Sequence, residues 1–249
     1  MGLFRPRPPV DELERLWVEE MLRWCAAEFG TRSLRAPVIL PTSDYFPGTY
    51  AGTEVDVLAV VERVAGYMGV APDRIVVEFD SGDELPDQLA FLERPRDGEA
   101  GHYRLEHGRA VVSLNLSRLR TPVTLVATIA HELAHERLLG ERRIDPGRHD
   151  GEQVTDLTTV FLGLGVFNAN AAFQFSQHSG GWRYHRLGYL SQPLYGYALA
   201  CWSVMRGDPK PVWARHLDTN PRVYMKQSLK YLRADPDALP EWRAAAFGA

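Results

Sequence analysis

Cysteine is scarce: Cys25 and Cys201 are the only two in 249 residues. Each stands in an apolar, helical-looking stretch, and together they form neither a Cys-x-x-Cys pair nor a disulfide framework. Both are therefore read as buried thiols. Lysine is nearly absent, with three residues against twenty-five arginines, a bias attributed to genome composition rather than to arginine chemistry. There is no excess of positive charge. A formal net charge of −4 offers no basic surface, so no nucleic-acid partner is expected. Nor is there a run of about 18 apolar residues, which excludes a spanning helix. The first ten residues, rich in proline and arginine, lack the apolar centre of a signal peptide. A cytoplasmic location is expected. With 45% hydrophobic and 24% charged residues, the chain is ordinary for a globular protein and long enough to bury a core unaided. A metal here would serve chemistry rather than replace a core.

The hydrophobic pattern sets out the elements. Leu13, Leu16, Trp17, Met21 and Trp24 recur at helical spacing between Asp11 and Phe29, with Gly30 as a stop. Pro37–Pro41 reads as a short strand between prolines. Residues 42–52 read as a loop pinned by Tyr45, Phe46 and Tyr50. A second helix is expected from Thr53 or Glu54 to Met68, with Val57, Val60, Val61 and Val64 along one stripe. Ile75–Phe79 is a strand. Tyr103–Glu106 and Ala110–Asn115 form a hairpin across His107-Gly108-Arg109. Helices follow over 122–140, about 151–164, 192–206 and 219–232. Strands and helices come first and mostly helices after, which is an α+β order with a small mixed sheet and a mostly helical C-terminal half. One domain over 1–249 is expected, with an α/β part near 11–120 and a helical part near 121–249.

One motif carries chemistry. The third helix contains His131-Glu132-Leu133-Ala134-His135. Histidines four apart lie on one helical face, one turn above the other, so both imidazoles can reach a single tetrahedral zinc ion. Glu132 flanks that ion instead of binding it, where it can take a proton from a water acidified by the metal. With eight histidines and seventeen glutamates, the pattern arises by chance in roughly one such chain in fifty. Its setting strengthens it: Val123, Leu125, Val126, Ile129 and Ala130 make a strongly apolar helix, whose polar groups need a partner.

A third ligand is sought downstream, where His149, Glu152 and Asp156 all stand near enough to fold back. His149 lies in a Pro-Gly-Arg-His-Asp stretch read as a loop, where a ligand would be poorly held. Asp156 is short for a metal bound from a helix axis some 8–10 Å away. Glu152 has the reach, which leaves Asp156 to hydrogen-bond a histidine and fix its tautomer. Asp150 and Glu152 can also be read simply as acidic residues favoured in a helix's first turn.

The set His131-Glu132-x-x-His135 followed by Glu152-x-x-x-Asp156 resembles the gluzincin clan of metallopeptidases, the thermolysin-like group. Val111–Asn115 and the helix after it look like the sheet edge and active-site helix of that fold. Among small intracellular members the layout is loosely similar to the ImmA/IrrE type. The resemblance spans about residues 109–165. It implies a zincin-like fold and peptide-bond hydrolysis, with His131, His135 and Glu152 as zinc ligands and Glu132 as general base. The metzincin pattern is not met, since no histidine falls at its third-ligand place. Neither cysteine suits the ligand position of peptide deformylases.

A donor for the developing oxyanion is sought in Gln177–His185 and in Tyr189, Tyr195 and Tyr197, with His185 and Tyr189 favoured. Phe161, Phe167, Phe173 and Phe175 are read as core. Residues 110–115 are expected to form an edge strand along which an extended substrate pairs. The leading expectation is a zinc metalloprotease with a protein or peptide substrate. A zinc hydrolase of a small amide or peptide is an alternative, as is a metal-retaining module that cleaves nothing.

Overall fold

The first helix is announced by its cap. Asp11 accepts from the Glu14 N–H while the Glu14 side chain returns to the Asp11 N–H, and the helix runs over α1 (Glu12–Phe29). It stops at Gly30, whose φ of 80° few side chains tolerate. Thr53 and Asp56 form the same reciprocal cap on α2 (Glu54–Met68), which ends on left-handed Gly69. In the computed structural model, residues 6–80, 100–117, 121–178 and 189–247 are described. Those residues contain three strands and eight α-helices.

The strands are β1 (Ile75–Asp80), β2 (Gly101–Glu106) and β3 (Arg109–Asn115). Their order is β1-β3-β2, with β1 parallel and β2 antiparallel to β3. The hairpin loop is the two residues His107 and Gly108, both with positive φ, as a type I′ turn requires. Alternation sends Val112 and Leu114 of β3 into the core, with Ile75, Val77 and Phe79 of β1 beside them. The mixed sheet and the α+β order agree with expectation.

Thr121 caps and Pro122 opens α3 (Pro122–His135), which is buried all the way from Thr124 to Ala134. A helix apolar on every side must be covered on every side. The sheet and α2 lie against it on one flank, and α4 (Gly151–Phe161) and α5 (Gly165–His178) on the other. Around it gathers one core, built from α2, the sheet, α3 and part of α5. The second core joins α1 to α4 and to α6 (Gln192–Met205), α7 (Thr219–Ala234) and α8 (Pro240–Phe247). So α1 packs with the C-terminal helices. No described helix is long and apolar enough to cross a membrane.

Four expectations need correction. Pro37–Pro41 is not a strand: both prolines lack an N–H, and among the described residues its one backbone bond to a distant segment runs from the Ile39 N–H to the Gly163 carbonyl. The helix expected over 151–164 ends at Phe161. Gly163, at φ 92°, turns the chain there, and the unforeseen α5 begins at Gly165. The helix expected over 122–140 is α-helical only to His135, and Glu136–Gly140 widen into a π turn. Finally, β3 is no edge strand. It is paired on both sides, which rules out residues 110–115 as the rail for a substrate. Among the described residues, the unpaired edge beside α3 belongs to β2. The loop over 42–52 is anchored as expected, with Tyr45, Phe46 and Tyr50 against the core and the Tyr67 hydroxyl donating to the Tyr45 carbonyl (2.6 Å).

Candidate metal centre

His131 and His135 sit on consecutive turns of α3, with ring centroids 4.9 Å apart and planes at 86°. Helix α4 crosses this face and delivers Glu152 from its first turn. The ligand atoms of His131, His135 and Glu152 all lie within 4.8 Å of one another. Glu152 Oε2 is 3.1 Å from His131 Nε2 and 3.5 Å from His135 Nε2. Ligands at 2.0–2.1 Å from a tetrahedral ion are separated by about 3.3 Å, and the two distances bracket that value. The Glu152 side chain is 35% exposed against 9% and 14% for the histidines, so the cluster opens to solvent on the glutamate side.

The other ring nitrogens are committed. His131 Nδ1 lies 2.9 Å from Asp156 Oδ1, and Asp156 Oδ2 accepts the Leu190 N–H at 2.9 Å. The Thr155 hydroxyl donates to the Gly151 carbonyl, so its oxygen is left to accept from His135 Nδ1 at 3.4 Å. With a proton on each Nδ1, both histidines present the Nε2 lone pair to the same point. Two neutral imidazoles and a carboxylate are a donor set that suits a divalent ion such as zinc and leaves a fourth position open.

With a proton on Nε2 instead, these groups bind one another. Burial opposes the Glu152 charge, yet hydrogen bonds from His131 and His135 hold its carboxyl well below the usual range. Burial likewise opposes a charged His131, but hydrogen bonds with Asp156 and Glu152 raise its pKa well above the ordinary value. Glu132 is not part of this group of three. The residue is 6% exposed and lies under the start of β2, where burial raises its pKa. Gly101 makes room for it: a Cβ there would stand 2.8 Å from Glu132 Oε1 and 2.5 Å from Thr128 Cγ2.

The remaining candidates divide. Tyr189 stands at the cluster, its ring centroid 5.2 Å from that of His131. His149 is exposed in the turn ahead of α4 and outside the group of three. Asp150 does not cap α4; its carboxylate takes the Trp17 indole N–H at 2.8 Å and pairs with Arg148, tying the start of α4 to α1. Tyr197 is buried in the helical core and donates to Glu19 at 2.6 Å. Tyr195 is buried in that core as well. Phe161 and Phe167 are core, as expected. His185 and the side chains of Phe173 and Phe175 lie outside the described residues.

Several neighbours of the centre went unremarked in the sequence. Thr155 is one, hidden because a threonine inside a helix carries no signal of its own. Tyr103 is another: its ring stacks on His135 at 5.7 Å with planes at 23°. Its hydroxyl donates to Glu136 Oε2 at 3.0 Å, and burial followed by that carboxylate's charge pushes its pKa up. Gly101 and Tyr103 are two apart on β2 and so share a face. That alternation was legible, but which face meets α3 was not.

No protein family, curated protein or solved structure matches this chain.

Proposed function

We propose that this chain is a zinc metallopeptidase of the gluzincin type, with a zincin-like fold and protein or peptide substrates. The observation that carries the proposal is the convergence of His131, His135 and Glu152, with the Glu132 carboxylate buried beside them. Zinc at this point would supply a Lewis acid that polarises a carbonyl and acidifies water. Glu132 takes up the proton that the attacking water loses and hands it to the departing amine. Its burial raises its proton affinity towards what that exchange needs. Asp156 and Thr155 would hold the two imidazoles in the tautomer that offers Nε2 to the metal. Tyr189 is the nearest described candidate to donate to the developing oxyanion. An extended peptide would pair with the edge of β2 that is unpaired among the described residues, on the strand that carries Gly101 over Glu132.

A non-catalytic metal module would need the same three ligands. It would not need a buried carboxylate beside them, which favours the hydrolase. The test has two parts. Mass spectrometry of protein purified without added metal should find about one zinc per chain. A proteome-scale cleavage screen should then show products with the wild type that vanish with Glu132→Gln, while the variant keeps its zinc. General-base removal should cost at least roughly 10²–10⁴-fold. Equal cleavage by Glu132→Gln would end the proposed mechanism, and zinc-free protein that takes up none on titration would end the metal assignment.

A further inference from the structure

Glu136 directly follows the second histidine, and it is 1% exposed although charged. A carboxylate withdrawn from water this far must be held by partners. Its two oxygens are divided between two parts of the sheet. Oε1 takes Arg74, whose Nε and Nη2 lie 2.7 Å and 2.5 Å away, from the turn just ahead of β1. Oε2 takes the hydroxyl of Tyr103 on β2. Gly140 is part of the arrangement, because a Cβ there would overlap the Glu136 carboxylate. The π turn over Glu136–Gly140 carries both residues. Tyr103 then reaches back from this anchor to lay its ring on the His135 imidazole.

From this geometry we infer that Tyr103, anchored by Glu136 and Arg74, is a positioning residue for the metal centre: it fixes the plane of the His135 imidazole. His131 has a carboxylate 2.9 Å from its Nδ1, whereas among the described residues the Nδ1 of His135 has only the threonine hydroxyl at 3.4 Å. One hydrogen bond of that length leaves the ring free to tilt about it. The stacked phenol removes that freedom, and the Glu136 carboxylate keeps the phenol from sliding along the imidazole. The centre thus orients its two histidines by different means, one by a charged acceptor and one by a clamped ring. This inference rests on reading His131, His135 and Glu152 as metal ligands.

The test uses the full chain and two metal salts. Zn2+ affinity is measured by competition with a chromophoric chelator. Co2+ is then added to saturation, and the visible d–d bands, which report ligand geometry, are recorded for the wild type, Tyr103→Ala, Tyr103→Phe and Glu152→Ala. Loss of a group that orients a ligand weakens metal binding by about 10–100-fold, and Tyr103→Ala should fall in that range with altered Co2+ bands. Tyr103→Phe keeps the ring and loses the anchor, so its affinity should lie between those of Ala and wild type. Because Phe replaces Tyr with little change of volume, this variant also serves if Tyr103→Ala does not fold. Wild-type affinity and unchanged bands in Tyr103→Ala, or in Tyr103→Phe if only that one folds, would overturn the inference. The metal assignment would still stand provided that Glu152→Ala loses Zn2+. If Glu152→Ala binds Zn2+ as well as the wild type, the metal reading itself fails and the inference falls with it.

Discussion

Gly101→Ala tests the closeness of β2 to α3 without any assumption about activity. The added Cβ would stand 2.5 Å from Thr128 Cγ2. Carbon atoms rest at about 3.5–4.0 Å, so the shortfall is about 1 Å or more. Thr128 cannot easily give way. It is β-branched, 4% exposed and in the middle of α3, where the backbone restricts its rotamer. Glu132 offers no better escape, since its Oε1 and Cγ would stand 2.8 Å and 3.1 Å from the new methyl. The strand must therefore back away from α3, at a cost of about 1–3 kcal/mol as for other overpacked cores. In a chain of this size each kcal/mol lowers the midpoint by about 2–4 °C, so a fall of roughly 2–12 °C is expected by circular dichroism. The partner substitution isolates the cause. Thr128→Ser deletes only Cγ2, and in the double variant it should recover most of what Gly101→Ala lost, which a double-mutant cycle in urea would show as coupling. A neutral Gly101→Ala, or additive single effects, would mean that β2 does not press on α3. If the chain is a hydrolase, the same displacement of about 1 Å should lower turnover by something like 10²-fold.

The remaining predictions concern the supports of the centre and the two thiols. Asp156→Ala should weaken Zn2+ binding by about 10–100-fold, and Thr155→Val should weaken it by less, because its contact with His135 is longer and uncharged. The reverse ranking, found by competition titration, would contradict the assigned tautomers. His149→Ala should leave Zn2+ binding unchanged, and a loss there would remove Glu152 from the third-ligand role. Burial lifts the Cys25 thiol to about 12 and the Cys201 thiol well above its ordinary value, so neither should react with a disulfide reagent at pH 8 until the protein is unfolded. Rapid labelling of either in the native state would show that its helix opens.

Much of the local structure was written in short-range patterns. Asp11 with Glu14 and Thr53 with Asp56 mark helix starts because the reciprocal cap involves residues only three apart. His131 and His135 face one way because they are one helical turn apart. Where the local reading failed, a longer-range fact had decided the outcome. Pro37–Pro41 carries strand-like residues, but among the described residues no strand comes alongside to pair with it. Residues 110–115 were equally plausible as edge or centre. The choice fell to β1, which joins β3 from 35 residues away in the chain, Ile75 pairing with Ala110.

The centre divides in the same way. The sequence by itself determined which groups could act: two imidazoles on one face, a carboxylate between them along the chain, and acids within reach downstream. That is settled by spacing, because a helix repeats over a few residues whatever surrounds it. Only the tertiary structure decided that Glu152 is the acid that meets both histidines, that Asp156 and Thr155 take the nitrogens on the far side, and that Gly101 and Tyr103 lean on the same helix from β2. Those meetings depend on how α3 is packed between the sheet and α4. Burial of its apolar surface sets that packing, and such burial favours contact without naming the partner.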